Sequence, residues 1–124
     1  MLKDKDSSAM IAVADLDRAR GFYSDTLGLD VAEEQDDVIV YRTGATRLCV
    51  YVSDHAGTNQ ANAVVWGVGD AVETIVANLI AKGVLFERYD MPDAEFAGGI
   101  HRFGDFRAAW FKDPDGNILH VNSG

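Results

Sequence analysis

The first half of the chain pairs one helical stripe with several short apolar runs. Small and apolar residues at 8–13 predict a strand, and Asp15 follows as a helix N-cap. Gly28 then ends the helix, as a glycine able to adopt positive φ commonly does. The apolar stripe of this helix is Leu16, Ala19, Phe22 or Tyr23, and Leu27. Strands are predicted after it at 29–32, 38–41 and 47–52, which gives the order β-α-β-β-β.

The second half repeats this order. A strand is predicted at 63–68, and Asp70 with Glu73 three residues later has the pattern of a capping box. Gly83 ends the predicted helix, and the interval from Asp15 to Gly28 equals that from Asp70 to Gly83. The helix has one apolar stripe, made of Val72, Ile75, Val76, Leu79 and Ile80. A further strand is predicted at 84–89, followed by an extra loop at 90–107 that contains Gly98 and Gly99.

The stretch 108–121, with the sequence AAWFKDPDGNILHV, predicts a β-hairpin. Aromatic and apolar residues lie on both sides of a turn in which Pro114 fixes φ and Gly116 can take positive φ. Side chains alternate along a strand, so Ile118, His120 and Asn122 should share one face.

Composition and charge narrow the functional classes. The chain has 124 residues, long enough for one domain with a real core, and a formal charge of −9 with scattered basic residues. Nucleic acid and anionic membrane surfaces are therefore poor partner candidates. The single cysteine, Cys49, cannot form an internal disulfide, and no apolar run approaches the length of a membrane span. These features predict a cytoplasmic protein.

Each half alone would leave its sheet partly uncovered. We therefore expect the two halves to form a single domain over 1–124, with module one at about 8–53, a linker at 54–60 and module two at about 61–122. We expect a ligand pocket to form between the modules.

Several of these segments together resemble the glyoxalase / bleomycin-resistance / extradiol-dioxygenase group, also called the vicinal oxygen chelate superfamily. The matching segments are 13–16 (VADL), Phe22-Tyr23, 27–29 (LGL), 68–70 (VGD), Leu79, Gly83-Val84 and 110–117 (WFKDPDGN). The resemblance implies an α+β fold of two βαβββ modules in one chain. Each module would be a curved mixed sheet with one helix, forming a half-barrel cup with the ligand site inside. It also implies a homodimer.

The resemblance also implies where a metal would bind. Enzymes of the group place a His or Glu ligand on the first and last strand of each module, and the corresponding positions here are Ser8, Cys49, Ala63 and His120. Two plausible ligands are too few for a tight site, so we predict no metal, although a divalent ion such as zinc is possible. Only His101 and Glu95, on the extra loop, could add to the set.

The predicted function is metal-independent binding of a small organic ligand in an aromatic-lined cavity. The alternative is a lyase, isomerase or dioxygenase in which His120 is a metal ligand or a general base. His120 could also be an ordinary hydrogen-bonded histidine, and both tryptophans could be core or dimer-interface residues. The candidate ligand-binding residues are Ser8, Tyr41, Cys49, Tyr51, Ala63, Trp66, His101, Trp110 and His120.

Overall fold

A computed structural model describes residues 1–124, and the chain divides into two compact units. The first unit is Met1–Asn59 and the second is Gln60–Gly124. The boundary therefore lies within the segment predicted as a linker. No helix is long and apolar enough to cross a membrane.

The first unit contains one mixed sheet and one helical segment. The sheet order is β1-β4-β3-β2, with β1 parallel to β4 and the other neighbours antiparallel. The elements are β1 (Ala9–Val13), α1 (Leu16–Arg20), which continues as a π-helix (Gly21–Thr26), β2 (Asp30–Gln35), β3 (Val38–Thr43) and β4 (Thr46–Val52). The predicted order β-α-β-β-β is confirmed here.

The predicted ends of the first helix are also confirmed. The Asp15 carboxylate accepts a hydrogen bond from the backbone N–H of Arg18, and Gly28 follows the helical segment with φ +72°. The helix packs against β3 and β4 and buries one face of the sheet. Tyr41 lies in this core, and its hydroxyl forms a 2.8 Å hydrogen bond with the Ser24 hydroxyl.

The second unit contains a mixed sheet of order β5-β9-β8-β7-β6, in which β5 and β9 are parallel. Its elements are β5 (Asn62–Gly67), a 3-10 turn (Gly69–Ala71), α2 (Val72–Ala81), β6 (Glu95–Ala97), β7 (Ile100–Phe103), β8 (Phe106–Lys112) and β9 (Ile118–Asn122). The predicted hairpin is confirmed as β8 and β9. The unit repeats the order of the first with one additional short strand, β6.

Helix α2 packs against β8 and covers one face of this sheet. The buried residues at this contact are Val72, Val76 and Leu79 of the helix and Ala109, Phe111, Leu119 and Val121 of the sheet. Ile80, which was predicted in the apolar stripe, is largely exposed.

The predicted capping box of α2 is wrong. The helix is preceded by a 3-10 turn, its N-cap is Ala71, and no side chain caps it. Both predicted capping carboxylates instead form ion pairs with arginines of the sheet. Asp70 pairs with Arg107, and Glu73 pairs with Arg107 and Arg102.

The prediction for 84–107 is wrong in two places. The segment 84–89 is not a strand, because it forms only an isolated bridge between Phe86 and Phe111. The segment 90–107 is not merely a loop, because it contains the β6–β7 hairpin. Gly98 and Gly99 form the turn with φ +60° and +84°, and a Cβ on Gly99 would lie 3.0 Å from the Cβ of Phe86.

Candidate functional site

His120 lies in the middle of β9, on the sheet face opposite α2. Its register neighbours are Trp110 on β8 and Val65 on β5. The Trp110 and His120 rings stack with centroids 4.4 Å apart and planes 15° apart. Strand alternation directs these three side chains away from the face that carries Leu119 and Val121.

The hydrogen bonds of His120 define its tautomer. The Ala109 carbonyl lies 3.0 Å from Nδ1 and can only accept, so Nδ1 carries the proton. The backbone N–H of Gly124 donates to Oδ1 of Asn122, which identifies the other amide atom as Nδ2. That Nδ2 lies 3.1 Å from Nε2 of His120 and donates to it. Both ring nitrogens are therefore engaged.

Burial favours the neutral form of this ring. His120 is only 9% exposed, and desolvation lowers its pKa below the ordinary 6.5 although the bond to the Ala109 carbonyl acts in the opposite direction. We therefore expect His120 to be uncharged at neutral pH, with Nε2 as its one unprotonated nitrogen.

A series of contacting rings extends from His120 across the sheet. Trp110 contacts His101 edge-to-face at 5.1 Å, and His101 contacts Phe96 in the same manner at 4.7 Å. Tyr89 contacts both Trp110 and His101, at 5.3 and 6.1 Å. We call these five residues, Tyr89, Phe96, His101, Trp110 and His120, the aromatic cluster. Three of the five, His101, Trp110 and His120, are buried. Aromatic rings of this kind suit contact with a flat organic ligand.

A pocket of about 310 Å³ lies at the His101 end of the aromatic cluster. Its volume is at the lower end of the range for small-molecule sites, roughly 300–1,000 Å³. It is lined by Arg88, Tyr89, Asp90, Met91, Ala94, Phe96 and His101. The Arg88 guanidinium lies over the Phe96 ring at 5.2 Å.

A second pocket, of about 510 Å³, lies in the first unit. Its lining is mostly charged and includes the ion pair between Arg20 and Glu34. This groove offers no aromatic surface, and we expect it to be hydrated.

The predicted residues of the first unit lie on different faces of their sheet. Tyr41 is a core residue beneath the helix, whereas Cys49 and Tyr51, two residues apart on β4, share the opposite face of the sheet. Cys49 is half-buried and has Met10 as its neighbour on β1. Ser8 precedes β1 and is exposed.

The remaining predicted residues of the second unit lie on β5. Trp66 is the register neighbour of Val121, which places it on the face that α2 covers rather than beside His120. Ala63 is half-buried and lies at an irregularity in the pairing of β5 with β9. The two tryptophans of the chain therefore lie on opposite faces of one sheet.

The side chains around His120 do not fit a resident metal ion. No group of three or more His, Cys, Asp and Glu side chains could hold one. The strand residues beside Cys49 and His120 are Met10 and Val65, rather than Ser8 and Ala63. A histidine that binds a metal through Nε2 commonly donates Nδ1–H to a carbonyl, as His120 does, but its Nε2 already accepts from Asn122.

Sequence reasoning missed three residues of this site. Asn122 was placed on the correct face, but its contact with His120 depends on the fold of the chain end. Tyr89 and Phe96 belong to segments predicted as a strand and a loop. The Gly98-Gly99 pair, flanked by short apolar stretches, was the available signal for the hairpin that presents Phe96.

Comparison with known proteins identifies one family and many similar folds. The family model for the Glyoxalase/Bleomycin resistance protein/Dioxygenase superfamily matches residues 7–121. None of the curated proteins compared matches the sequence.

Solved structures match over nearly the whole chain. A glyoxalase/bleomycin resistance protein/dioxygenase from Alicyclobacillus acidocaldarius is 20% identical with a TM-score of 0.71, covering 96% of this chain and 90% of that one. A lactoylglutathione lyase from Agrobacterium tumefaciens is 17% identical with a TM-score of 0.72, covering 98% and 95%. A genomically encoded fosfomycin resistance protein from Listeria monocytogenes is 15% identical with a TM-score of 0.73, covering 95% and 91%. At these identities the matches show the shared fold.

Proposed function

Because the chain belongs to the glyoxalase/bleomycin resistance protein/dioxygenase superfamily, we propose that it binds a small organic molecule without a metal. The proposed binding surface is the aromatic cluster of the second unit. His120 would be a polar contact within it, and Trp110 a stacking platform.

The observation that carries this proposal is the continuity of the aromatic cluster. Its rings contact one another from His120 through Trp110 and His101 to Phe96, and the 310 Å³ pocket adjoins the far end. Aromatic walls with a few oriented polar groups are typical of small-molecule sites. Two structural relatives are named for small organic molecules, lactoylglutathione and fosfomycin, which supports the class of ligand.

The proposed metal independence is supported by the surroundings of His120. Its Nε2 accepts from Asn122, and its strand neighbours Val65 and Trp110 cannot supply a hard or borderline ligand. An ion would have to displace Asn122 and would still find only one protein ligand there.

We also propose that the chain forms a homodimer. Met10 on β1 and Val65 on β5 are 64% and 56% exposed. Large apolar side chains at such exposure are suited to burial by a second copy. Sedimentation velocity of the wild type and of the Met10→Ser variant tests this, because only the variant should dissociate at micromolar concentration.

Thermal-shift screening against metabolites and antibiotics tests the binding proposal. A ligand at 100 times its dissociation constant should stabilise the protein by about 2.7 kcal/mol. His120→Ala should reduce this stabilisation, whereas His55→Ala should retain it because His55 is exposed and lies in the first unit. Equal stabilisation of both variants would refute the proposed surface.

The alternative function is an enzyme that uses His120 as a general base. The lowered pKa of this residue favours it, because a neutral imidazole with an unprotonated Nε2 can accept a proton. Asn122 would first have to release Nε2. Turnover of a screened ligand that is lost in His120→Gln would favour this alternative over simple binding.

A further inference from the structure

His101 has a buried ring nitrogen without a hydrogen-bond partner. The residue is 1% exposed, and its Nδ1 has no hydrogen-bond partner among the protein atoms. Buried polar atoms of this kind are uncommon, and each one calls for a structural or functional explanation.

The other ring nitrogen determines what Nδ1 offers. The backbone N–H of Tyr89 lies 3.0 Å from Nε2 and can only donate, so Nε2 is the accepting nitrogen. The ring proton is therefore on Nδ1. The Tyr89 carbonyl lies 3.3 Å from Nε2 and could accept a hydrogen bond only if the proton were on Nε2. That tautomer is disfavoured, because the Nε2–H of His101 would then point at the backbone N–H of Tyr89. His101 thus holds one unsatisfied donor.

The ring that carries this donor lies among other rings and borders the pocket, while Nδ1 itself is closed to solvent, so a ligand would reach it only by displacing part of the wall. Tyr89, Phe96 and Trp110 contact the His101 ring, and the 310 Å³ pocket is lined by Tyr89, Phe96 and His101 itself. Met91 also lines the pocket, and its flexible thioether side chain is the part of the wall most easily displaced.

We propose that this pocket binds a flat, neutral aromatic group bearing a carbonyl oxygen, which accepts the Nδ1–H of His101. The inference deepens the proposed function and rests on it, because it names the chemical class of the ligand. The ring would lie against Tyr89 and against Phe96 on the side that the Arg88 guanidinium does not cover. A neutral group is favoured because Arg88 and Asp90 offset each other in the pocket lining and the whole chain carries −9.

The test uses four probes added to the unmodified protein. Benzamide has both the ring and the carbonyl, toluene only the ring, acetamide only the carbonyl, and benzoate a ring with a charged acceptor. The readout is the 15N and 1H resonances of the His101 Nδ1–H, with exposed His55 as internal control. We expect benzamide to shift the His101 signals most and to leave those of His55 unchanged.

A variant makes the test quantitative. His101→Phe keeps a ring in the aromatic cluster but removes the donor, and it should weaken benzamide binding about tenfold while leaving toluene binding nearly unchanged. His55→Phe is the matched control and should bind both probes like the wild type. Because His101→Phe also removes the acceptor for Tyr89, the spectra of the unmodified chain decide the matter if this variant does not fold.

The outcomes separate this inference from the function on which it rests. If benzamide shifts the signals of Trp110 and His120 but not those of His101, the inference is wrong and small-molecule binding by the aromatic cluster stands. If none of the four probes shifts His101, the inference is also wrong, and the ligand screen judges the proposed function independently. Equal effects of benzamide and toluene on His101 would likewise overturn the role of the carbonyl.

Discussion

Replacing Asn122 by Asp should raise the pKa of His120 above that of the wild type. In the wild type, Nδ2 of Asn122 donates to Nε2 over 3.1 Å, which favours the unprotonated nitrogen. Asp is nearly isosteric and retains the oxygen that accepts from the Gly124 N–H. It therefore places a carboxylate oxygen where the amide nitrogen was and leaves the chain end in place.

The expected magnitude follows from the short distance. An opposite charge within about 4–6 Å typically changes a pKa by about 1–3 units in favour of the charged form. The contact here is direct and His120 is buried, so we expect the His120 pKa in Asn122→Asp to exceed that of the wild type by about 2 units. Burial lowers the wild-type pKa below 6.5, and the new carboxylate acts in the opposite direction.

Nuclear magnetic resonance titration of the histidine ring protons measures this directly. His55 provides the internal reference, and Asn78→Asp on the exposed side of α2 adds the same charge away from the site. Only Asn122→Asp should move the His120 midpoint. An unchanged or lower midpoint in that variant would show that Asn122 does not contact Nε2 and would refute the assigned tautomer.

Three further predictions concern stability. Asp113 is buried, and its carboxylate accepts three hydrogen bonds in the β8–β9 turn. Asp113→Ala should therefore lower the free energy of unfolding, measured by urea denaturation, by about 3 kcal/mol. The control Asp105→Ala, in the exposed β7–β8 turn, should change it by less than about 0.5 kcal/mol. The pKa of Glu73 is lowered from 4.5 to about 2, chiefly by its hydrogen-bonded ion pair with Arg107 of β8. The stabilisation that Glu73 provides is therefore complete above pH 4.5 and is lost as the pH falls towards 2. Denaturation midpoints measured between pH 2 and pH 4.5 should depend less on pH in Glu73→Gln than in the wild type. Tyr41→Phe should cost about 1 kcal/mol in thermal unfolding, because it leaves the Ser24 hydroxyl without its partner, and an unaltered midpoint would contradict that hydrogen bond.

The sequence pattern was sufficient for elements whose signals are local. Asp15 and Gly28 bound the first helix because a capping carboxylate and a positive φ are local requirements. The β8–β9 hairpin was predictable for the same reason. Asp70 and Glu73 had an equally local signal, but Arg107 on a distant strand binds both carboxylates instead.

The segment 84–89 illustrates competition for one strand edge. It has strand-like residues, but β7 pairs with β8 along Phe106–Ala108, and Phe86 reaches β8 only beyond that pairing, at Phe111. Only one bridge can form there. No property of the segment itself reveals that a later hairpin takes its place.

The sheet face on which each site residue lies depends on the pairing register of its strand. The type of residue at a position does not determine that register. Tyr41 proved to be a core residue beneath the helix, and Trp66 lies on the face opposite Trp110. The strand positions beside Cys49 and His120 are likewise occupied by Met10 and Val65, each two residues after the position expected from counting along the sequence.

The central claim is that His120 belongs to a metal-independent binding surface. The metal content of the purified protein tests this claim most directly. Untagged protein purified without chelator and analysed by inductively coupled plasma mass spectrometry should contain far less than one equivalent of zinc, nickel, iron or manganese per chain. One equivalent per chain that is lost in His120→Ala but kept in His55→Ala would contradict the account.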